Sequence, residues 1–168
     1  MADSINLQIV TPDGVKLSAH VSELTAPSVD GEFGVLPGHR PLLAALRTGI
    51  VSYREAGGEQ RVAVGGGFVQ IAGDVARLLT DNFVTKDEVD VVRSRLELKE
   101  ADEALDHFTG DPKDPSYTAL VQKELWAATK LELYGDPPPP TIRAAEHELV
   151  ASTENYRHLA DPGEAPDA

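Results

Sequence analysis

The stretch Val75-Ala76-Arg77-Leu78-Leu79-Thr80, followed by Phe83-Val84-Thr85-Lys86-Asp87-Glu88 and then Val91-Val92-Arg93-Ser94, decides how this chain is read, because its periodicity changes there. Up to Thr80 the apolar residues come in short runs broken by turn residues, the pattern of strands. Thr85 and Glu88 have the spacing of a capping box, whose hydroxyl and carboxylate satisfy free N–H groups of a first helical turn, so a helix is predicted from about Lys86. Beyond it Val91, Ser94, Leu98, Ala101, Leu105 and Phe108 recur every three or four residues. They form a narrow seam with small residues in its middle, which suits close packing against one neighbouring helix.

Toward the N-terminus, strand-like runs recur at 5–10, 15–21, 49–54, 60–65 and 67–72, separated by Gly, Pro, Asp or Asn. In the run 15–21, Val15, Leu17, Ala19 and Val21 are expected on one face and Lys16, Ser18 and His20 on the other. Many short strands without helices between them predict a sandwich or barrel over 1–85. Toward the C-terminus, Gly110-Asp111-Pro112 stops the first helix. Asp114-Pro115 reads as an N-cap and first-turn proline for a second helix, with an apolar stripe of Tyr117, Val121, Leu125, Ala128 and Leu131. Gly135 and the four prolines 137–140 end that helix. The two helices make an antiparallel hairpin over 86–134. Residues 135–168 form a proline-rich spacer and an acidic tail with a marginal third helix over 142–156, where Ile142, Ala145, Leu149, Ser152 and Tyr156 keep helical spacing. The expected fold class is α+β.

The 168 residues carry 15 Lys and Arg against 28 Asp and Glu, a formal charge of −13, which opposes binding to nucleic acid or anionic lipid. The 41% of apolar residues suffices for a core, yet no run has the length and apolarity of a membrane helix and no basic-then-apolar leader opens the chain. The sequence therefore reads as soluble and cytosolic. With no cysteine and five scattered histidines, no metal site or thiol chemistry is expected. No G-x-S-x-G elbow or triad spacing appears, and the paired carboxylates Asp87 and Glu88, or Asp102 and Glu103, fall on exposed helix faces. No catalytic residue is expected. Gly65-Gly66-Gly67 lacks the Lys-Ser/Thr of a phosphate loop and sits between strands, where glycine marks a bulge or a close backbone approach.

The most distinctive stretch is the turn region Asp30-Gly31-Glu32-Phe33-Gly34-Val35-Leu36-Pro37-Gly38-His39, followed by Arg40-Pro41-Leu42-Leu43. It resembles the signature of the epsilon subunit of F-type ATP synthases, and the likeness extends through Gly66-Gly67-Phe68-Val69 and on to about Tyr134. The resemblance implies a flattened ten-stranded barrel for 1–85 and a non-catalytic role in the central rotor. There the sandwich joins the gamma subunit to the proton-driven c ring, and the hairpin swings up into the alpha/beta catalytic head to block ATP hydrolysis. It implies a peripheral place on the cytoplasmic side of the inner membrane, with no insertion. It also implies that Glu32 approaches the polar loops of the c ring and that Phe33, Pro37, Gly38 and His39 help seat the sandwich on gamma and the ring.

Val89-Asp90-Val91-Val92-Arg93-Ser94 is similar to the family's Ile/Leu-Asp-x-x-Arg-Ala motif, which helps some members bind ATP. On the residues alone, Asp90 and Arg93 lie three apart and are placed to face one polar ligand. Here Ser94 replaces the alanine, Glu100 stands where a further arginine is usual, and the second helix has no arginine. No cofactor is expected and ATP binding is expected to be weak or absent. The reading from another class is a sandwich that binds a ligand such as a carbohydrate, with the hairpin as a dimerisation element. That reading calls for exposed aromatics on one sheet face.

Overall fold

A computed structural model of the chain describes residues 3–138. The expected third helix over 142–156 and the acidic end lie outside the described residues. Ten strands come first: β1 (Ile5–Thr11), β2 (Gly14–Val21), β3 (Glu23–Ser28), β4 (Gly31–Val35), β5 (Leu42–Leu46), β6 (Gly49–Glu55), β7 (Gly58–Val64), β8 (Gly67–Ala72), β9 (Val75–Thr80) and β10 (Phe83–Thr85). A 3₁₀ turn (Lys86–Glu88) leads into α1 (Val91–Asp106) and α2 (Pro115–Tyr134). The α+β class and the ten-stranded sandwich agree with the sequence reading.

The strands pair in the order β10-β7-β6-β3-β5-β8-β9-β1-β2, with β4 added to β3. Only β1 and β9 run parallel among these pairs. The sheet folds over a single interior in which Leu7, Ile9, Leu24, Val35, Val51, Val64, Val69 and Leu78 lose essentially all contact with solvent. Each such side chain stabilises the fold by about 1.5–3 kcal/mol relative to exposure. β1 shows why these residues make this strand, since Ile5, Leu7 and Ile9 point inward while their neighbours are half-exposed.

Three features depart from the sequence reading. The pairing of β1 with β2 slips between Ile9 and Val10, so that Ile9 faces Leu17 but Val10 faces Val15. This bulge moves Val15 off the core face shared by Leu17, Ala19 and Val21 and leaves it 65% exposed. Second, half of the 30–39 stretch that reads as turn is strand β4, paired with β3 from Leu24↔Val35 to Ser28↔Gly31.

Third, the capping box forms, with Thr85 N–H and Oγ1 donating to Glu88 Oε2 at 2.9 and 2.8 Å, but it closes only the 3₁₀ turn. The α-helix begins five residues later than predicted, at Val91, because Asp90 supplies a second cap by accepting the Arg93 N–H at 3.0 Å. α2 follows its signals closely. Asp114 accepts the Ser116 N–H at 2.8 Å, Pro115 opens the first turn, and Gly135 closes the helix in the left-handed conformation at φ +106°.

α2 lies between α1 and the sandwich. Leu133 packs with Ile50 of β6 and Ala63 of β7, joined by Trp126, Val84 and Val89. Thr48 Oγ1 also donates to Gln122 Oε1 at 3.3 Å, and Arg61 lies 3.7 Å from Glu132. On its other side α2 meets the small buried residues Ser94 and Ala101 of α1, which let the two backbones approach closely.

Candidate functional site

The 30–39 segment is organised from its two turns. At the β3–β4 turn, Ser28 Oγ donates to Gly31 O at 2.7 Å and accepts the Asp30 N–H at 3.2 Å, and Gly31 takes φ +116°, a conformation that side chains with a Cβ rarely adopt. Glu32, next to this turn, is exposed. Beyond β4, His39 N–H donates to Leu36 O at 3.0 Å across a turn that places Gly38 at φ +81°, and His39 Nδ1 donates to Arg40 O at 2.7 Å. The structure does not bring the five expected contact residues together. Glu32 sits at one end of β4 and Pro37, Gly38 and His39 past the other, separated by on the order of 15 Å at the usual strand rise. Phe33 packs against the core instead of standing on the rim.

A surface that the sequence reading missed lies on the outer face of the five strands at the far end of the sheet. Ala45 pairs with Phe68, Phe68 with Leu79, Leu79 with Val10, and Val10 with Val15. The result is one apolar row across β5, β8, β9, β1 and β2, with Phe68 57%, Leu79 45% and Val15 65% exposed. Leu43, two residues from Ala45 on the same strand face, is also exposed. The neighbouring row is polar and holds Gln70, Arg77 and Gln8, whose side chains include an Arg77 Nε to Gln8 Oε1 hydrogen bond at 3.2 Å. A signal existed in the sequence, since Phe68 and Leu79 occupy alternate positions where a solvent-facing strand surface calls for polar residues. The register that aligns them, and the bulge that adds Val15, were not readable without the pairing.

The third region is a cleft of about 620 Å³ between the helices. Asp90 and Arg93 both line it, but they do not present a joint site. The Asp90 carboxylate is spent on capping α1, and Arg93 Nε turns to Glu97 Oε1 at 2.9 Å. Glu97 also accepts a hydrogen bond from Lys130 Nζ of α2. Lys130, with Arg93 behind it, holds the Glu97 carboxyl below its ordinary range. Lys130 in turn lies over the Trp126 ring, 5.9 Å from its centroid. The remaining charge on the walls is three carboxylates, Glu88, Asp90 and Glu100, and one ammonium, Lys123. Such a lining repels a polyphosphate more than it holds one. Among the described residues no cluster of metal-ligating side chains occurs, and no helix is long and apolar enough to cross a membrane.

Residues 4–86 match the ATP synthase Delta/Epsilon chain beta-sandwich domain family. The ATP synthase epsilon chain of Geotalea uraniireducens is 38% identical over 117 residues, 70% of this chain and 83% of the relative. The epsilon chain 2 of Syntrophotalea carbinolica is 39% identical over 135 residues, 80% of this chain and 96% of the relative. This chain belongs to the ATP synthase epsilon-chain family. Among solved structures, a chain of the Euglena gracilis mitochondrial ATP synthase assembly of OSCP, F1 and c-ring superposes with a TM-score of 0.60 at 25% identity, covering 88% of this chain and 84% of that one. A chain of the Tetrahymena thermophila mitochondrial central stalk and c-ring shares the fold, with a TM-score of 0.53 at 14% identity.

Proposed function

We propose that the chain is a non-catalytic rotor subunit whose sandwich joins the gamma subunit to the c ring on the cytoplasmic side of the inner membrane. Its helical hairpin regulates ATP hydrolysis by reaching the alpha/beta head. The observation that carries this reading is the apolar row of Ala45, Phe68, Leu79, Val10 and Val15, a contiguous exposed surface of the kind that proteins reserve for partners. We assign it to gamma. Glu32, exposed beside the β3–β4 turn, is assigned to the polar loops of the c ring, with Pro37, Gly38 and His39 as a separate contact at the other end of β4. ATP is at most a weak ligand, because the cleft cations Arg93 and Lys130 already share Glu97.

The carbohydrate-binding alternative loses its main support. Of the four aromatics in the strand region (Phe33, Tyr53, Phe68 and Phe83), Phe68 alone is exposed, so no aromatic platform forms.

The test is co-purification with gamma. Phe68→Glu and Leu79→Glu should each weaken capture of gamma at least about tenfold, as removal of a central anchor does, while thermal melting of the free chain stays unchanged. Undiminished capture by the double variant would overturn the assignment of the row. Since the chain has no cysteine, Glu32→Cys supplies a unique thiol. Its failure to cross-link to any of several cysteines in the c-ring loop would remove Glu32 from the interface.

A further inference from the structure

The pairing of α1 with α2 rests on an arrangement that the rotor role does not require. Glu97 stands between two cations from different helices, Arg93 one turn before it on α1 and Lys130 on α2. The Lys130 side chain is only 13% exposed and that of Glu97 34%, so the pair is far less open to solvent than the other ion pairs of the hairpin. A second charged link joins Arg95 of α1 to Asp136, just past the end of α2. The seat of α2 on the sandwich is different in kind, being a small apolar cluster around Ile50, Ala63 and Leu133 with two exposed polar contacts at its edges.

We propose that Glu97 is a built-in anion that locks the hairpin: its carboxylate fills the point between Arg93 and Lys130 where an external phosphate or carboxylate would otherwise sit. α1 and α2 then stay paired with no ligand present, and the cleft rejects anions. Lys130 is largely withdrawn from water, and a paired counter-charge offsets the cost of holding its ammonium there. A carboxylate carried on the adjacent helix supplies it without the translational entropy that a free ligand loses on binding. The low-lying Glu97 carboxyl fits this role. Asp90, Glu88 and Glu100 on the same walls add a repulsive field against any second anion. Whatever position the hairpin takes relative to the sandwich, it is expected to take it as a closed pair.

The lock is testable on the full-length chain by itself. Glu97→Gln keeps the shape and removes the charge, and Glu103→Gln, on α1 but outside the cleft, is the control. Glu97→Gln should speed amide exchange along 91–106 roughly tenfold or more without changing exchange in β1 or β9. It should also gain binding of inorganic tripolyphosphate, read as a change in emission of Trp126, the single tryptophan. The unaltered chain and Glu103→Gln should show neither effect. Lys130→Ala should loosen α1 to a similar degree but gain no anion binding, and the double variant should exchange no faster than the worse single one. Unchanged exchange in Glu97→Gln, absence of its gained tripolyphosphate binding, or tripolyphosphate binding by the unaltered chain would each refute the proposal.

Discussion

Gly67 shows how a single residue can be fixed by a contact that its sequence neighbours do not reveal. A Cβ at this position would lie 1.9 Å from the Leu79 carbonyl oxygen, on a backbone with φ +154°. The clash is with main chain, so no side-chain rotation relieves it. Gly67→Ala should therefore cost more than about 2 kcal/mol and lower the melting temperature clearly. Gly73, with φ +59° and nothing within 4 Å of its would-be Cβ, should lose only about 1 kcal/mol on the same change. Equal melting temperatures for the two variants would sink this account. That Gly65-Gly66-Gly67 marks a bulge or a close backbone approach was legible from glycine within a strand pattern, whereas which of the two holds at Gly67, and the partner Leu79, were not. For Asp90 and Arg93 the spacing was legible and the roles were not. Either residue can cap, pair or bind, and the choice fell to the orphan N–H of Arg93 and to Glu97 one turn away.

At the scale of elements, the helices owe their ends to carboxylates, which makes the hairpin acid-sensitive. The Glu88 carboxyl is lowered first by the Thr85 backbone N–H and then by its hydroxyl, Glu97 first by Lys130, and Asp114 first by the Ser116 hydroxyl and then by its N–H. A carboxylate whose folded pKa lies below its unfolded value of about 4 stabilises the fold above that pH and loses the contribution as pH falls through the folded value. All three groups belong to the turn and the helices. Acidification below about pH 4 should thus shift Trp126 emission before the strand signal in circular dichroism changes. Simultaneous loss of both signals, or loss of the strands first, would contradict this. Helix existence and the α2 boundaries were readable because caps, proline and glycine act locally. The start of α1 was misplaced because two capping devices follow one another, and sequence alone does not rank them.

For the whole molecule, the charge of the second helix bears on the regulation proposed for the hairpin. Between 116 and 134 the chain carries Lys123 and Lys130 against Glu124 and Glu132. Lys130 is committed to Glu97, and Val121 and Leu131 of the expected apolar stripe are buried within the folded molecule. The apolar residues that the hairpin offers outward are instead Val92 and Leu96 of α1, with Tyr134 of α2. The proposed contact with the alpha/beta head should then depend little on salt bridges that added salt screens. Comparing ATP hydrolysis by the reconstituted head with the full-length chain and with a truncation after Thr85 should give a small or salt-insensitive difference. Strong inhibition by the full-length chain that collapses as salt rises would refute this. By itself the sequence determined that a strand region precedes a helical hairpin, the change from strands to helices near Thr85, the caps of α2 and the family, since each is written in spacing over a few residues or in one contiguous signature. Tertiary structure alone decided that Phe68, Leu79, Val10 and Val15 form one row, that Val15 faces outward, and that Glu97 meets Lys130. Those depend on strand register, a bulge and a helix pairing, and such contacts join residues far apart in the chain whose alignment is set by how the interior packs.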